Sequence, residues 1–159
     1  MNIFEFAKKM EQDGEDYYRT LAKAGTDHGL SVVLNELADA EIRHREVIDQ
    51  MEKATKEGLG ETAILKNAKN VFTKMKKGGA RFASSEIEAY EKALKIEKAS
   101  EDFYREKARE LRDPDQASLF EQIAEEERKH YFLLENIIAF MNAPKQWLEN
   151  AEWNHLDEY

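Results

Sequence analysis

Glu41-Ile42-Arg43-His44 recurs as Glu127-Arg128-Lys129-His130, 86 residues further on. A carboxylate and an imidazole three apart on a helix share one face, about one turn from each other. With that spacing one helix offers two ligands to a single metal ion. In a chain so rich in glutamate the motif alone is cheap, and Glu152 with His155 makes a third, coincidental instance. The offset carries more weight. Shifted by 86 without a gap, Glu11 lands on Glu97, Glu15 on Glu101, Asp16 on Asp102, Tyr18 on Tyr104, Arg19 on Arg105, Ala22 on Ala108 and Ala38 on Ala124. The chain reads as a duplicated helical hairpin, and each copy ends its second helix with Glu-x-x-His.

Composition narrows the class. A chain of 159 residues suits one domain, taken here as 1–159, and can bury a real core. Two prolines, seven glycines and abundant Glu, Lys, Ala and Leu favour an all-α fold. A net charge of −9 argues against nucleic acid as a partner, since phosphate binding needs a basic face. With no cysteine there is no disulfide, thiolate zinc site or Cys-ligated iron, which fits a reducing cytoplasm. Met1-Asn2-Ile3-Phe4-Glu5 shows no signal-peptide pattern, and no apolar run approaches the ~20 residues of a membrane span.

The apolar periodicity predicts helices over about 3–24, from about 30 to 56, over 86–111 and over 115–142. Gly25-Thr26-Asp27-His28-Gly29 is expected as a turn, and Asp113-Pro114-Asp115 as a stop followed by a restart. Residues 57–85 are too many for a tight turn and suit a crossover carrying a short helix from Ala63 to Met75. The aromatic tail, 144–159, is expected to dock as a short helix against the bundle formed by 3–142, or against a second subunit.

Glu11, Glu41, His44, Glu97, Glu127 and His130 all fall on inward faces. Unpaired buried carboxylates cost several kcal/mol each, and four together repel. No lysine or arginine shares those faces, whereas two divalent metals would cancel four carboxylates and two neutral imidazoles would complete the set. Such a ligand set is that of the di-iron and di-manganese carboxylate bundles. Oxygen and imidazole donors suit iron, with manganese or another divalent metal as alternatives, and call for neither haem nor flavin. Helices one and three each offer two glutamates. At about 100° per residue, Glu11 borders the apolar stripe while Glu15 falls beside Lys8 and Arg19, and Glu97 is preferred to Glu101 by the same reasoning. Tyr18 and Tyr104, two turns beyond Glu11 and Glu97, are placed to donate hydrogen bonds to ligand carboxylates. No catalytic residue beyond the ligands is indicated. Gly14 and Ser100, matched under the shift, leave room beside the metals. His28 and His155 read as surface histidines, and Met51 as core.

Glu11-x6-Tyr18, Leu37-Ala38-Asp39-Ala40-Glu41-x2-His44, Glu97-x6-Tyr104 and Glu125-Glu126-Glu127-x2-His130 together resemble the erythrin (rubrerythrin-like) branch of the ferritin-like superfamily, over about residues 3–142. The resemblance implies an up-down-down-up four-helix bundle with two iron ions between the helices. It also implies reduction of hydrogen peroxide or dioxygen as the small oxidant, often in homodimers. Two departures stand out. Rubrerythrins proper carry a four-cysteine rubredoxin module, absent here, so electrons would come from a separate rubredoxin-like or flavoprotein donor. Their extra acids, three residues after the helix-three ligand and one turn after the helix-four ligand, are here Ser100 and His130. Ferroxidation with iron storage, and a metal-stabilised non-enzymatic module, need the same ligands and are the competing readings.

Overall fold

A computed structural model describes residues 2–25, 27–53 and 84–143. They form four helices: α1 (Ile3–Ala24), α2 (His28–Glu52), α3 (Ser84–Glu110) and α4 (Pro114–Asn142). The expected crossover helix and the docked tail lie outside the described residues. Among the described residues no strand occurs, and no helix is long and apolar enough to cross a membrane.

Local chemistry sets the boundaries. Asn2 caps α1 by accepting from Glu5 N, while the Glu5 carboxylate accepts from Asn2 N. Asp27 caps α2 through Leu30 N at 2.9 Å, so His28 opens the helix instead of lying in the expected turn. α2 ends at Glu52, about one turn before the expected 56. Asp113 caps α4 through Asp115 N and Gln116 N, with Pro114 at the first turn, where its missing N–H costs nothing.

α1 packs chiefly on α2 and α3 on α4, and the two hairpins meet through α1 with α3 and α2 with α4. Cross-links fix the directions. Glu11 meets Tyr104 while Tyr18 meets Glu97, so α1 and α3 run antiparallel. Glu41 approaches His130 while His44 approaches Glu127, so α2 and α4 do too. The offset of 86 that relates the motifs also relates the core. Ala7, Val33, Leu34, Leu37, Ala38, Val47, Ile48 and Met51 are buried. Their counterparts Ala93, Leu119, Phe120, Ile123, Ala124, Leu133, Leu134 and Ile137 are buried as well. The result is a four-helix bundle of ferritin-like form with an internal pseudo-two-fold.

Its core is two apolar clusters. One gathers Tyr18, Leu34, Leu37, Tyr90, Leu134 and Ile137 toward the α1–α2 turn. The other gathers Ala7, Ile48, Met51, Tyr104, Phe120 and Ile123 toward the α3–α4 turn. Between them lies a layer of buried polar side chains. Phe120 anchors the second cluster, edge-on to Tyr104 at 5.1 Å and to Phe4 at 5.8 Å. Phe120→Ala removes that anchor and is expected to cost about 3–5 kcal/mol, read as a lower urea midpoint at unchanged slope; a loss below about 1 kcal/mol would mean the ring is not a core element.

Candidate metal centre

The polar layer draws one or two residues from each helix. α1 supplies Glu11, α2 Glu41 and His44, α3 Glu97, and α4 Glu127 and His130, none more than 4% exposed. The Glu-x-x-His motifs lie in the interior of α2 and α4, not at their ends. Glu11 lies at the middle of the buried face of α1, closer in than the border position expected from the apolar stripe, because Ala7, Gly14, Tyr18 and Ala22 flank it on both sides.

Two groups of four emerge, each with ligand atoms within 4.8 Å of one another: Glu11, Glu41, His44 and Glu127, and Glu41, Glu97, Glu127 and His130. Glu41 and Glu127 belong to both. His44 Nδ1 lies 3.2 Å from Glu11 Oε2 and 3.6 Å from Glu41 Oε2 and Glu127 Oε1. His130 Nδ1 lies 3.3 Å from Glu127 Oε2 and 3.7 Å from Glu97 Oε2. The rings are nearly parallel, 5.9 Å apart. His44 Nδ1 and Glu11 Oε2 are hydrogen-bonded, whereas around His130 proximity is not hydrogen bonding. His130 Nδ1 is out of line with Glu127 Oε2, and both Glu127 oxygens and both His130 nitrogens are buried without a hydrogen-bond partner. Buried polar atoms are almost always paired. The Glu127 oxygens and one His130 nitrogen are of the type that ligates hard or borderline cations, and a metal ion fits as their missing partner.

Electrostatics point the same way. Burial, then the charges of Glu127 and Glu11, push Glu41 well above the carboxylate range. Burial and the Glu127 charge raise Glu97 to about 8. Burial would raise Glu127 too, but the imidazoles of His130 and His44 outweigh it and hold Glu127 below its ordinary value. Burial disfavours imidazolium, yet the surrounding carboxylates overcome it, raising His44 well above normal and His130 to about 9. No lysine or arginine is among the buried residues described.

The tyrosines cross between hairpins. Tyr18 of α1 donates to Glu97 Oε1 of α3, and Tyr104 of α3 donates to Glu11 Oε1 of α1. Burial, with the adjacent carboxylate charge, keeps both phenols protonated. Gly14 lies against Glu41: a Cβ there would stand 3.5 Å from Glu41 Cγ and Cδ, ordinary contact. The neighbouring glutamates are occupied elsewhere. Glu15 pairs with Arg45 at 2.8 Å, and Glu101, although buried, pairs with Arg105 at 3.0 Å and stands 3.6 Å from Lys98. An outer clamp went unread in the sequence. Arg19 binds Asn35 and Asp39, and Arg105 binds Glu121 and Glu125 at the same offset of 86. The matched arginines were its visible signal. Met51 packs in the core.

The Rubrerythrin family description matches residues 2–138. The chain belongs to the rubrerythrin family. Comparison with curated proteins and with solved structures gives no match.

Two outcomes follow from this geometry. In metal-free protein, Glu97 and His130 hold protons that the unfolded chain releases near pH 4.5 and 6.5. Their contribution is present at low pH and is lost as pH rises through about 8 and about 9. Glu127 has the opposite sign, but its effect lies below pH 4.5. The chelated protein should therefore lose stability from pH 5.5 to 8.5, at up to about 1.4 kcal/mol per pH unit per proton. A thermal midpoint constant or rising over that range contradicts the burial of these groups. Gly14→Ala should fold, fill the space beside Glu41 and gain about 0.5–1 kcal/mol of helix stability, measured by urea unfolding; a loss would show that the space is needed by the fold.

Proposed function

We propose that this chain is a non-haem di-iron carboxylate protein that reduces hydrogen peroxide or dioxygen, with electrons from a separate donor protein. One observation carries the reading: two four-residue groups that share Glu41 and Glu127. Glu11, Glu41, His44 and Glu127 would hold one ion, and Glu41, Glu97, Glu127 and His130 the other. Iron at such a site supplies electrons to the oxidant and Lewis acidity at its oxygen.

The chain's own residues do the rest. The carboxylates balance two divalent charges, and the imidazoles add neutral donors without excess negative charge. Tyr104 and Tyr18 orient Glu11 and Glu97 by donating to one oxygen of each, which leaves the other for metal. The clusters on either side exclude bulk water. Gly14 leaves a methyl-sized space in which Glu41 can adjust. With no cysteine in the chain, no Cys-ligated iron in it can feed the site. We place this chemistry in the cytoplasm and expect a homodimer.

Metal analysis of protein purified anaerobically, never exposed to chelator, should give about two iron ions per chain. Glu11→Ala and Glu97→Ala should each lose metal, whereas Glu15→Ala and Glu101→Ala should keep both ions. Stoichiometric peroxide should oxidise the reduced, loaded protein, with steady turnover only when a reductase and a small electron carrier are added. A single ion at full occupancy, or a reduced centre inert to peroxide, overturns the proposal.

A further inference from the structure

The six candidate ligands are sealed from solvent, so an electron from any carrier protein must cross protein to reach them. Resting on the redox reading above, we propose that Phe6, Phe103 and Tyr104 form its entry route. Phe6 of α1 is 48% exposed and is the one exposed aromatic ring among the described residues. It meets Phe103 of α3 with ring centroids 5.1 Å apart. Phe103 meets Tyr104 edge-on at 5.2 Å, and the Tyr104 hydroxyl donates to Glu11. A surface ring is thus joined to a ligand oxygen by two ring contacts and one hydrogen bond. Tunnelling through such contacts is better coupled than tunnelling across a gap.

The duplication supplies an internal comparison. Tyr17 and Tyr18 stand where Phe103 and Tyr104 stand in the other copy, with rings 6.2 Å apart and Tyr18 donating to Glu97. There, among the described residues, the chain of rings reaches no exposed one. The Tyr17 hydroxyl is tied to the Ala89 carbonyl at 2.6 Å, and Lys92 occupies the position that matches Phe6. Both copies keep the inner ring that orients a ligand; among the described residues, only one extends to an exposed surface ring. The electron originates in an external one-electron carrier and ends on the oxidised metal centre. The rings act as a bridge, so none is oxidised or reduced in net and no bond forms or breaks.

The absence of cysteine allows a single photoreductant label, a ruthenium polypyridyl maleimide, to be placed at will. Lys9→Cys puts it one turn from Phe6, and Gln122→Cys puts a control on the exposed face of α4. Flash reduction of oxidised, iron-loaded protein is followed by optical absorbance, with iron content measured for every variant. From position 9, Phe103→Leu should slow electron injection several-fold at unchanged iron content, while injection from position 122 stays the same. Should Phe103→Leu fail to fold or load, Phe6→Leu, on the surface and away from the ligands, decides by the same comparison. Injection from position 9 that ignores these substitutions, or equal slowing from both labels, overturns the route and leaves the redox reading standing. No injection from either label overturns the redox reading and the route with it.

Discussion

The polar layer of this bundle buries four carboxylates, and among the described residues no lysine or arginine is buried with them. Taking an ion out of water carries a penalty of several kcal/mol even after relaxation, and like charges a few ångströms apart add to it. Two imidazoles can return at most two positive charges against four negative ones. The metal-free protein meets the remainder by keeping protons on Glu41 and Glu97, the two carboxyls pushed upward. That is a poor solution, since it still leaves Glu127 and His130 without hydrogen-bond partners. Divalent cations would balance that charge and partner the Glu127 oxygens and one His130 nitrogen at once, so one cause would answer both anomalies.

The duplication explains how a fold can carry such a defect. Each hairpin holds two glutamates and one histidine, and neither set completes a group of four without a carboxylate from the other hairpin. The tyrosines sharpen the dependence, because each phenol belongs to one hairpin and serves a carboxylate of the other. The polar layer is therefore formed only when the whole bundle is. The apolar clusters above and below it bury matched positions of both copies, which holds the antiparallel register on which the site depends. Arg19 and Arg105 clamp the outside of each hairpin at matched places, so these two cations are committed to outer acids.

Most of this was legible because the same arrangement is written twice. The offset of 86 between Glu41 and Glu127 extends to sixteen buried core positions, and a periodicity supported that often is hard to misread. The four helices and all six candidate ligands were visible for that reason. Boundaries were less so, since they rest on single caps: Asp27 starts α2 at His28, inside what composition marked as a turn. Apolar periodicity also puts Glu11, as a charged residue, at the edge of the α1 stripe. In the bundle it is the centre of that stripe, and the apolar residues on either side are the walls of its site. Crossing of the tyrosines was not visible either. Periodicity places a side chain on a face of its own helix but says nothing of which helix it meets.

Glu101 shows what separates a ligand from its neighbours. It is 8% exposed, on a helix whose Glu97 is 1% exposed, and burial alone would make both carboxylates candidates. The difference is the partner. Arg105 and Lys98 stand beside Glu101, so its charge is met within the protein. Glu97 meets no lysine or arginine: the Tyr18 hydroxyl orients it without bringing charge, and the nearest cationic candidate is the His130 imidazole at 3.7 Å, itself a candidate ligand. The same contrast divides Glu15, held by Arg45, from Glu11, held by Tyr104. In each copy a glutamate supplied with an arginine lies four residues from one supplied with a phenol. The phenol-bound glutamate is the one that no lysine or arginine meets, and that is the charge a metal ion would answer.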